Sequence, residues 1–293
     1  MKHFFKNSCM IVLSFIFIFL LFKNPEISRN SIENSFSLWI NNLMPSLFPM
    51  IIINDILINY NFPIIISKLF YNFFNKFFKL SYNGTYFFLM SLFIGTPANA
   101  ILLKDLIDKN MIDKNEANKL IYVCYFSNPL FLYNMLFLIF NNQIIVIKLI
   151  LIHYISNIIV LFIIRNKYIP SNKCKIDIKS ISLNILLPKS CQKAISNMIA
   201  VLGIISFYML ITSYLPNNSL LIGLFEITTG LNSLISNQYV SKEIINIIII
   251  NFGGLSIFTQ IKSILEDTNL SFINYFKGRI IQCFIALCFL FWI

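Results

Sequence analysis

The chain is a succession of apolar blocks, each about 18–22 residues long, separated by short polar stretches. At 1.5 Å per residue, about twenty residues span the ~30 Å hydrocarbon core of a bilayer as one helix. Of the 293 residues, 57% are hydrophobic and 12% charged, whereas an ordinary globular domain carries about 25% charged residues. Too few polar groups exist to coat a soluble core. These features predict an all-α polytopic membrane protein with about eight hydrophobic segments. They exclude a soluble enzyme, a secreted disulfide scaffold and a disordered chain.

The net charge of +11 is unevenly placed: positions 165 to 193 hold seven bases (Arg165, Lys167, Lys173, Lys175, Lys179, Lys189, Lys193) and one acid, Asp177. Lys and Arg resist translocation, so this loop is expected to be cytoplasmic and to set orientation. A nucleic-acid surface would interleave aromatics with the bases on a folded face, and no nucleic-acid partner is expected. The six cysteines form no Cys-x-x-Cys pair, and His3 and His153 lie far apart, so no metal or redox centre is expected. Without a phosphate loop, nucleophile elbow or His-Glu-x-x-His motif, the expectation is a protein with no catalytic residues and no cofactor.

The first block, ending at Phe22, has a basic start and no small-residue cleavage site before Pro25, and reads as an uncleaved anchor. Residues 63–80 alternate Phe, Ile and Leu with Lys68, Lys76 and Lys79, the pattern of a helix lying in the membrane interface. Residues 104–119 read as a solvated helix with Asp105/Lys109 and Lys104/Asp108 at i,i+4 spacing. If the N-terminus and the basic loop share one side, the three blocks between residues 80 and 165 must cross an even number of times. One of them is then re-entrant, and the candidates are the two broken at Gly95-Thr96-Pro97 and at Ser127-Asn128-Pro129.

The halves resemble one another. Asn42-Leu43-Met44 has a counterpart 155 positions later in Asn197-Met198-Ile199, and Ile94-Gly95-Thr96-Pro97 one 158 positions later in Phe252-Gly253-Gly254-Leu255. Paired interrupted helices in two halves point to a transporter's midplane site, where a helix N-terminus offers unpaired N–H groups to an anionic ligand. The candidate binding residues are therefore Gly95, Thr96, Pro97, Asn99, Ser127 and Asn128 in the first half. Glu226, Thr228, Thr229, Gly253, Gly254, Ser256 and Gln260 are their counterparts in the second. Glu226 is the sharpest, as a carboxylate inside an apolar block. Lys148 is expected to snorkel from a helix end and His153 to be a packed, hydrogen-bonded imidazole. Asp55 stands open between a functional and a structural role.

At these residues the chain resembles the YlbJ (SpoVV) sporulation integral membrane proteins of the nucleoside-recognition Gate group. The matching stretches are MPSLFPMIIINDILINYNF (44–62), FLMSLFIGTPANAILLKDLIDKNMIDKNEANKL (88–120), LLIGLFEITTGLN (220–232) and FGGLSIFTQIKSIL (252–265). Where that family typically carries Gly-Tyr-Pro-Val-Gly-Ala-Lys, this chain has Gly95 to Ile101 without the lysine, and Phe258 stands where a His is common. The resemblance implies two Gate-type repeats, 35–164 and 188–293, after an anchor and linker (1–34) and joined by the basic loop (165–187). It also implies transport of dipicolinic acid, a small-molecule anion, across the outer forespore membrane, with a nucleoside-like heterocycle as the alternative solute. The lipid bilayer is the expected partner, and homo-oligomers or sporulation membrane partners are left open. A non-transporting scaffold acting through the basic loop is the competing class.

Overall fold

A computed structural model describes residues 2–170, 181–236 and 241–292. Fifteen α-helices are present among the described residues: α1 Lys2–Lys23, α2 Pro25–Leu38, α3 Met44–Asn59, α4 Phe62–Phe78, α5 Tyr82–Ile94, α6 Ala98–Asp108, α7 Lys114–Leu120, α8 Pro129–Phe140, α9 Gln143–Ile163, α10 Leu183–Thr212, α11 Ser219–Phe225, α12 Ile227–Ser236, α13 Lys242–Phe252, α14 Gly254–Ile264 and α15 Phe272–Trp292. A π-helical stretch, Trp39–Leu43, joins α2 to α3 into one rod. Among the described residues, five helical stretches are long and apolar enough to cross a membrane: Pro25–Asn59, Gln143–Ile163, Leu183–Thr212, Lys242–Ile264 and Phe272–Trp292. The protein is a polytopic helical membrane protein.

Contacts between distant residues define two ends of the bundle. At the basic-loop end, Lys119 Nζ donates to Arg165 O just past α9 (2.9 Å), and Asn59 at the end of α3 exchanges hydrogen bonds with the backbone of Ile181 (3.0 and 3.1 Å). Lys104 of α6 there pairs with Asp267 beyond α14 (3.4 Å). At the far end, Tyr214 just past α10 donates to Leu20 O near the end of α1 (3.1 Å).

These anchors fix the path. The α2–α3 rod runs from the far end to the basic-loop end. The α5–α6 pair enters from the basic-loop end and returns to it, since Asn83 Nδ2 donates to Met111 O (2.7 Å). Its tip is Gly95 (φ +82°) with the cis Thr96–Pro97 bond. Residues 121–128 then climb as buried non-helical chain into α8, and α9 descends. In the second half, α10 rises and α11–α12 forms a hairpin entering from the far end. Ser219 and Ser233 close its mouth (2.6 Å), Gly223 meets Gly230 at its waist, and Glu226 lies at its tip. Helix α13, the bend at Gly253 and α14 descend together, and α15 rises.

Rod, re-entrant hairpin, broken crossing and closing helix thus occur twice, in opposite directions, which is the inverted-topology arrangement of many transporters. Both closing helices, α9 and α15, have 21 residues and lie 129 positions apart. The 158-residue spacing read from the sequence pairs Gly95 with Gly253, but in the structure Gly95 tips a hairpin while Gly253 bends a crossing. The tip that answers Gly95 is at Glu226. Two glycine-marked breaks look alike in sequence although one reverses the chain and the other only bends it.

The parity argument is resolved the same way: the break at Gly95-Thr96-Pro97 is the hairpin, and that at Ser127-Asn128-Pro129 bends a crossing. Helix α4 carries an exposed apolar stripe (Ile65, Leu69, Phe73, Phe77) beside exposed Lys68 and Lys76, as an interfacial helix would. Helix α10 begins at Leu183 and contains Pro188, so the basic connection ends five residues before the expected boundary. Of its bases, Lys173, Lys175 and Lys179 lie outside the described residues.

The polar stretch 104–119 is not a solvated face. Asp105, Glu116 and Lys119 are all buried. The Glu116 carboxylate accepts from Ser81 N (2.7 Å) and Ser81 Oγ (2.6 Å), and so clamps the cap of α5. Burial nonetheless raises its pKa to about 7 from 4.5, the Ser81 hydrogen bonds opposing the shift. A folded-state pKa above the unfolded one contributes stability that is complete below pH 4.5 and is lost as pH rises through 7. The span corresponds to about 3 kcal/mol at most. Thermal unfolding in detergent should show the melting temperature falling between pH 5 and pH 8, with Glu116→Gln flattening that slope. An unchanged slope in the variant would place the pH dependence elsewhere.

Candidate functional site

The interruptions meet at one small cavity of ≈ 40 Å³. Among the sequence-predicted residues, Thr96, Pro97, Ser127, Asn128, Glu226, Thr228 and Gln260 line it. The walls the sequence did not single out are apolar side chains of the two rods and of α8, α12 and α14, including Leu47, Phe131, Val201 and Ile257, together with Tyr125 and Ser46.

The remaining predicted residues build the walls from behind. Gly95 lies against the backbone of Asn128, where a Cβ would come within 2.7 Å of its nitrogen. Asn99 Nδ2 spans the hairpin tip to Ser91 O and Phe126 O (3.3 and 3.4 Å). Gly253 abuts the Tyr125 ring and Gly254 approaches the carbonyls of Gly223 and Phe225, both with positive φ, so neither position accepts a side chain without strain. Ser256 accepts from Gln260 Nε2 (3.1 Å), and Thr229 faces the space at the far end.

Glu226 sits in extended conformation between α11 and α12. Its Oε2 accepts from Thr228 Oγ1 (2.5 Å), Thr229 N (2.7 Å) and Thr229 Oγ1 (2.8 Å). The protein's own carboxylate thus occupies the N-terminus of α12, and the Asn128 side chain caps α8 through Leu130 N (2.9 Å) and Phe131 N (3.3 Å). The expectation that broken-helix N-termini stand open to a ligand's carboxylates therefore fails at these two helices. Two acceptors at the cavity have no hydrogen-bond partner instead: Gln260 Oε1 on its wall and Asn99 Oδ1 behind it.

Non-helical backbone at membrane depth needs partners from the surrounding protein, and residues 122–128 have them. Asn157 Nδ2 donates to Tyr125 O (2.7 Å) and Tyr154 OH to Ser127 O (2.9 Å). Thr96 N donates to Phe126 O (2.9 Å), and His153 Nε2 accepts from Ser127 N (3.2 Å). His153 is a packed, hydrogen-bonded imidazole, its Nδ1 3.0 Å from Asn251 Oδ1. Arg279, 1% exposed, donates to Tyr122 O (2.8 Å), Tyr125 O (3.4 Å) and Asn157 Oδ1 (3.1 Å). It also lies over the Tyr125 ring at 4.7 Å, and none of its partners is a carboxylate. Sequence reasoning passed over Arg279, although a guanidinium inside the last apolar block is the same kind of signal that exposed Glu226.

Both sides of the far end are polar. A space of ≈ 470 Å³ lined by Asn34, Asn41, Asn42, Thr228, Thr229 and Asn232 adjoins the cavity at Thr228. Another of ≈ 390 Å³, with Asn41, Asn42 and Asn134, adjoins it at Ser46 and Asn128.

No protein-family model matches the chain, and no solved structure matches it. Among curated proteins it is similar to the sporulation integral membrane protein YlbJ of Bacillus subtilis (strain 168), at 26% identity over 330 aligned positions. The match covers 94% of this chain and 80% of that protein. The similarity engages nearly the whole chain and supports the resemblance to the YlbJ sporulation integral membrane proteins.

Proposed function

We propose that this protein is a carrier for a small heteroaromatic metabolite, with dipicolinic acid crossing the outer forespore membrane during endospore formation as the first solute to test. The observation that supports this reading is the convergence of both re-entrant tips and both broken crossings on one cavity between inverted halves, the usual location of a transporter's site. Apolar walls with Tyr125 and Phe131 suit a flat ring, and Ser, Thr, Asn and Gln side chains suit its polar edge.

Two electrostatic features bear on the solute. Arg279 places a cation without a carboxylate partner behind Tyr125, which favours an anion. Glu226 is the sole carboxylate lining the cavity, and no lysine or arginine lines it. That favours the second reading, an uncharged nucleoside-like heterocycle that donates hydrogen bonds.

The test is uptake of labelled dipicolinate into proteoliposomes, with a nucleoside as competitor and Glu226→Gln as the variant. A glutamine carbonyl still accepts from Thr229 N, so the variant should keep its melting temperature and lose uptake by roughly tenfold or more, the factor carried by 1.4 kcal/mol. Competition by the nucleoside would favour the second solute. Uptake of neither by well-folded protein would leave the scaffold reading.

A further inference from the structure

We infer that Asp55, Asp105 and Lys193 form an ionic latch that closes the cavity towards the basic-loop end; this rests on the reading of the cavity as a transport site. Lys193 Nζ lies 3.0 Å from Asp55 Oδ1 and 2.5 Å from Asp105 Oδ1, and Ser190 Oγ donates to Asp55 Oδ2 (2.8 Å). The three residues come from three elements: Asp55 from the first rod, Asp105 from the descending arm of the α5–α6 hairpin, and Lys193 from α10, the rod of the second half. One ammonium therefore ties the hairpin to both rods.

Its position follows from the helices themselves. Leu47, Pro97 and Val201 line the cavity, and each lies eight residues from its latch partner in the same stretch of chain, Asp55, Asp105 and Lys193. Eight residues of helix are about 12 Å. The rod α3 and helix α6 run from cavity to latch, and α10 runs antiparallel to them, so all three place the charged group at the same depth on the basic-loop side. Between latch and cavity the same helices supply Ile51, Ile101, Ala194 and Met198, each at most 4% exposed. This apolar plug belongs to the continuous core.

The far side is built differently, with the asparagine-lined spaces reaching the cavity at Thr228, Ser46 and Asn128. One access route is thus polar and open while the other is sealed by an apolar layer and an ionic tie across the two halves. Alternating access requires a seal on one side at a time, and a tie between carboxylates on one half and an ammonium on the other is broken by moving the halves apart. The latch residues are partly reachable by water, with side-chain exposures of 29% for Lys193 and 11% for each aspartate. Solvent can therefore take over their hydrogen bonds when the contact opens.

The experiment labels a cysteine at position 46 (Ser46→Cys) in proteoliposomes with a membrane-impermeant charged maleimide. The reagent is applied from one side at a time and read against the same protein without the added cysteine. Position 46 should label from the far side in every variant. From the basic-loop side it should label slowly with the latch intact and roughly tenfold or more faster with Asp105→Asn, the factor that 1.4 kcal/mol carries. The charge-exchanged pair Lys193→Asp with Asp105→Lys keeps two acids and one base and should return labelling to the slow rate. An Asp105→Asn protein that melts normally and labels no faster from the basic-loop side overturns the latch. Absence of labelling from the far side overturns the open vestibule instead. Neither outcome depends on which solute is carried, so failure of dipicolinate uptake remains a separate result.

Discussion

Replacing Arg279 with methionine should cost the fold about 3–5 kcal/mol, the scale for removing one member of a buried charged hydrogen-bonded group. Its guanidinium is the donor for Tyr122 O, Tyr125 O and Asn157 Oδ1 at once. Tyr122 O and Tyr125 O belong to a stretch that makes no helix, and Asn157 Oδ1 lies buried on α9, so none of the three has water to turn to. Each orphaned acceptor adds roughly 1–3 kcal/mol. Arg279→Lys should recover only a part, because a point ammonium cannot serve acceptors that the planar guanidinium reaches along separate N–H directions. Thermal unfolding in detergent measures both, with Arg29→Met as the control. Arg29 pairs with Glu33 on an exposed helix face, and its loss should leave the melting temperature unchanged. An Arg279→Met protein melting with the wild type would show that the 122–128 segment is held by Asn157, Tyr154 and the hairpin tip alone.

Much of this architecture is legible in the residues, and what is not has a physical reason. Block length gives the crossings, and glycine with proline inside an apolar block gives the interruptions, because few other residues break a helix at membrane depth. The basic loop and the parity of crossings narrow the re-entrant segment to two candidates, yet composition cannot separate them. A hairpin tip and a bend both need a break, and it is the pairing of Asn83 with Met111 and of Ser81 with Glu116 that shows the chain turning back at Gly95. Residues 121–126 read as helix because they are apolar. They leave the helical path through a turn, and Arg279 and Asn157, more than thirty positions away, hold the Tyr122 and Tyr125 carbonyls. Asp105 and Lys109 look like a solvated i,i+4 pair, whereas Asp105 finds its partner at Lys193, 88 positions on. Local spacing exposes breaks and isolated charges; it does not expose the partners that tertiary packing supplies.

The second large effect belongs to Gly230, where an alanine should abolish uptake and lower the melting temperature. A Cβ there would lie 2.2 Å from Gly223 Cα and 2.6 Å from Gly223 N. Both obstructing atoms are backbone, so no side-chain rotation relieves the clash and the arms of the α11–α12 hairpin must separate by an ångström or so. Overpacking of this kind costs about 1–3 kcal/mol. Function should suffer more than stability, because the arms meet at Glu226: parting them moves the carboxylate, together with the Thr228 and Thr229 groups that cap it, relative to Tyr125 and Gln260. A displacement near 1 Å at such a site is enough for about a hundredfold loss in other catalysed processes. The comparison that isolates the cause is Gly203→Ala in α10, where nothing lies within 4 Å of the added carbon. There the helix should gain up to about 1 kcal/mol from the better helix former and uptake should be preserved. If Gly230→Ala and Gly203→Ala behave alike in both melting and uptake, the close approach of the hairpin arms is not what sets the position of Glu226.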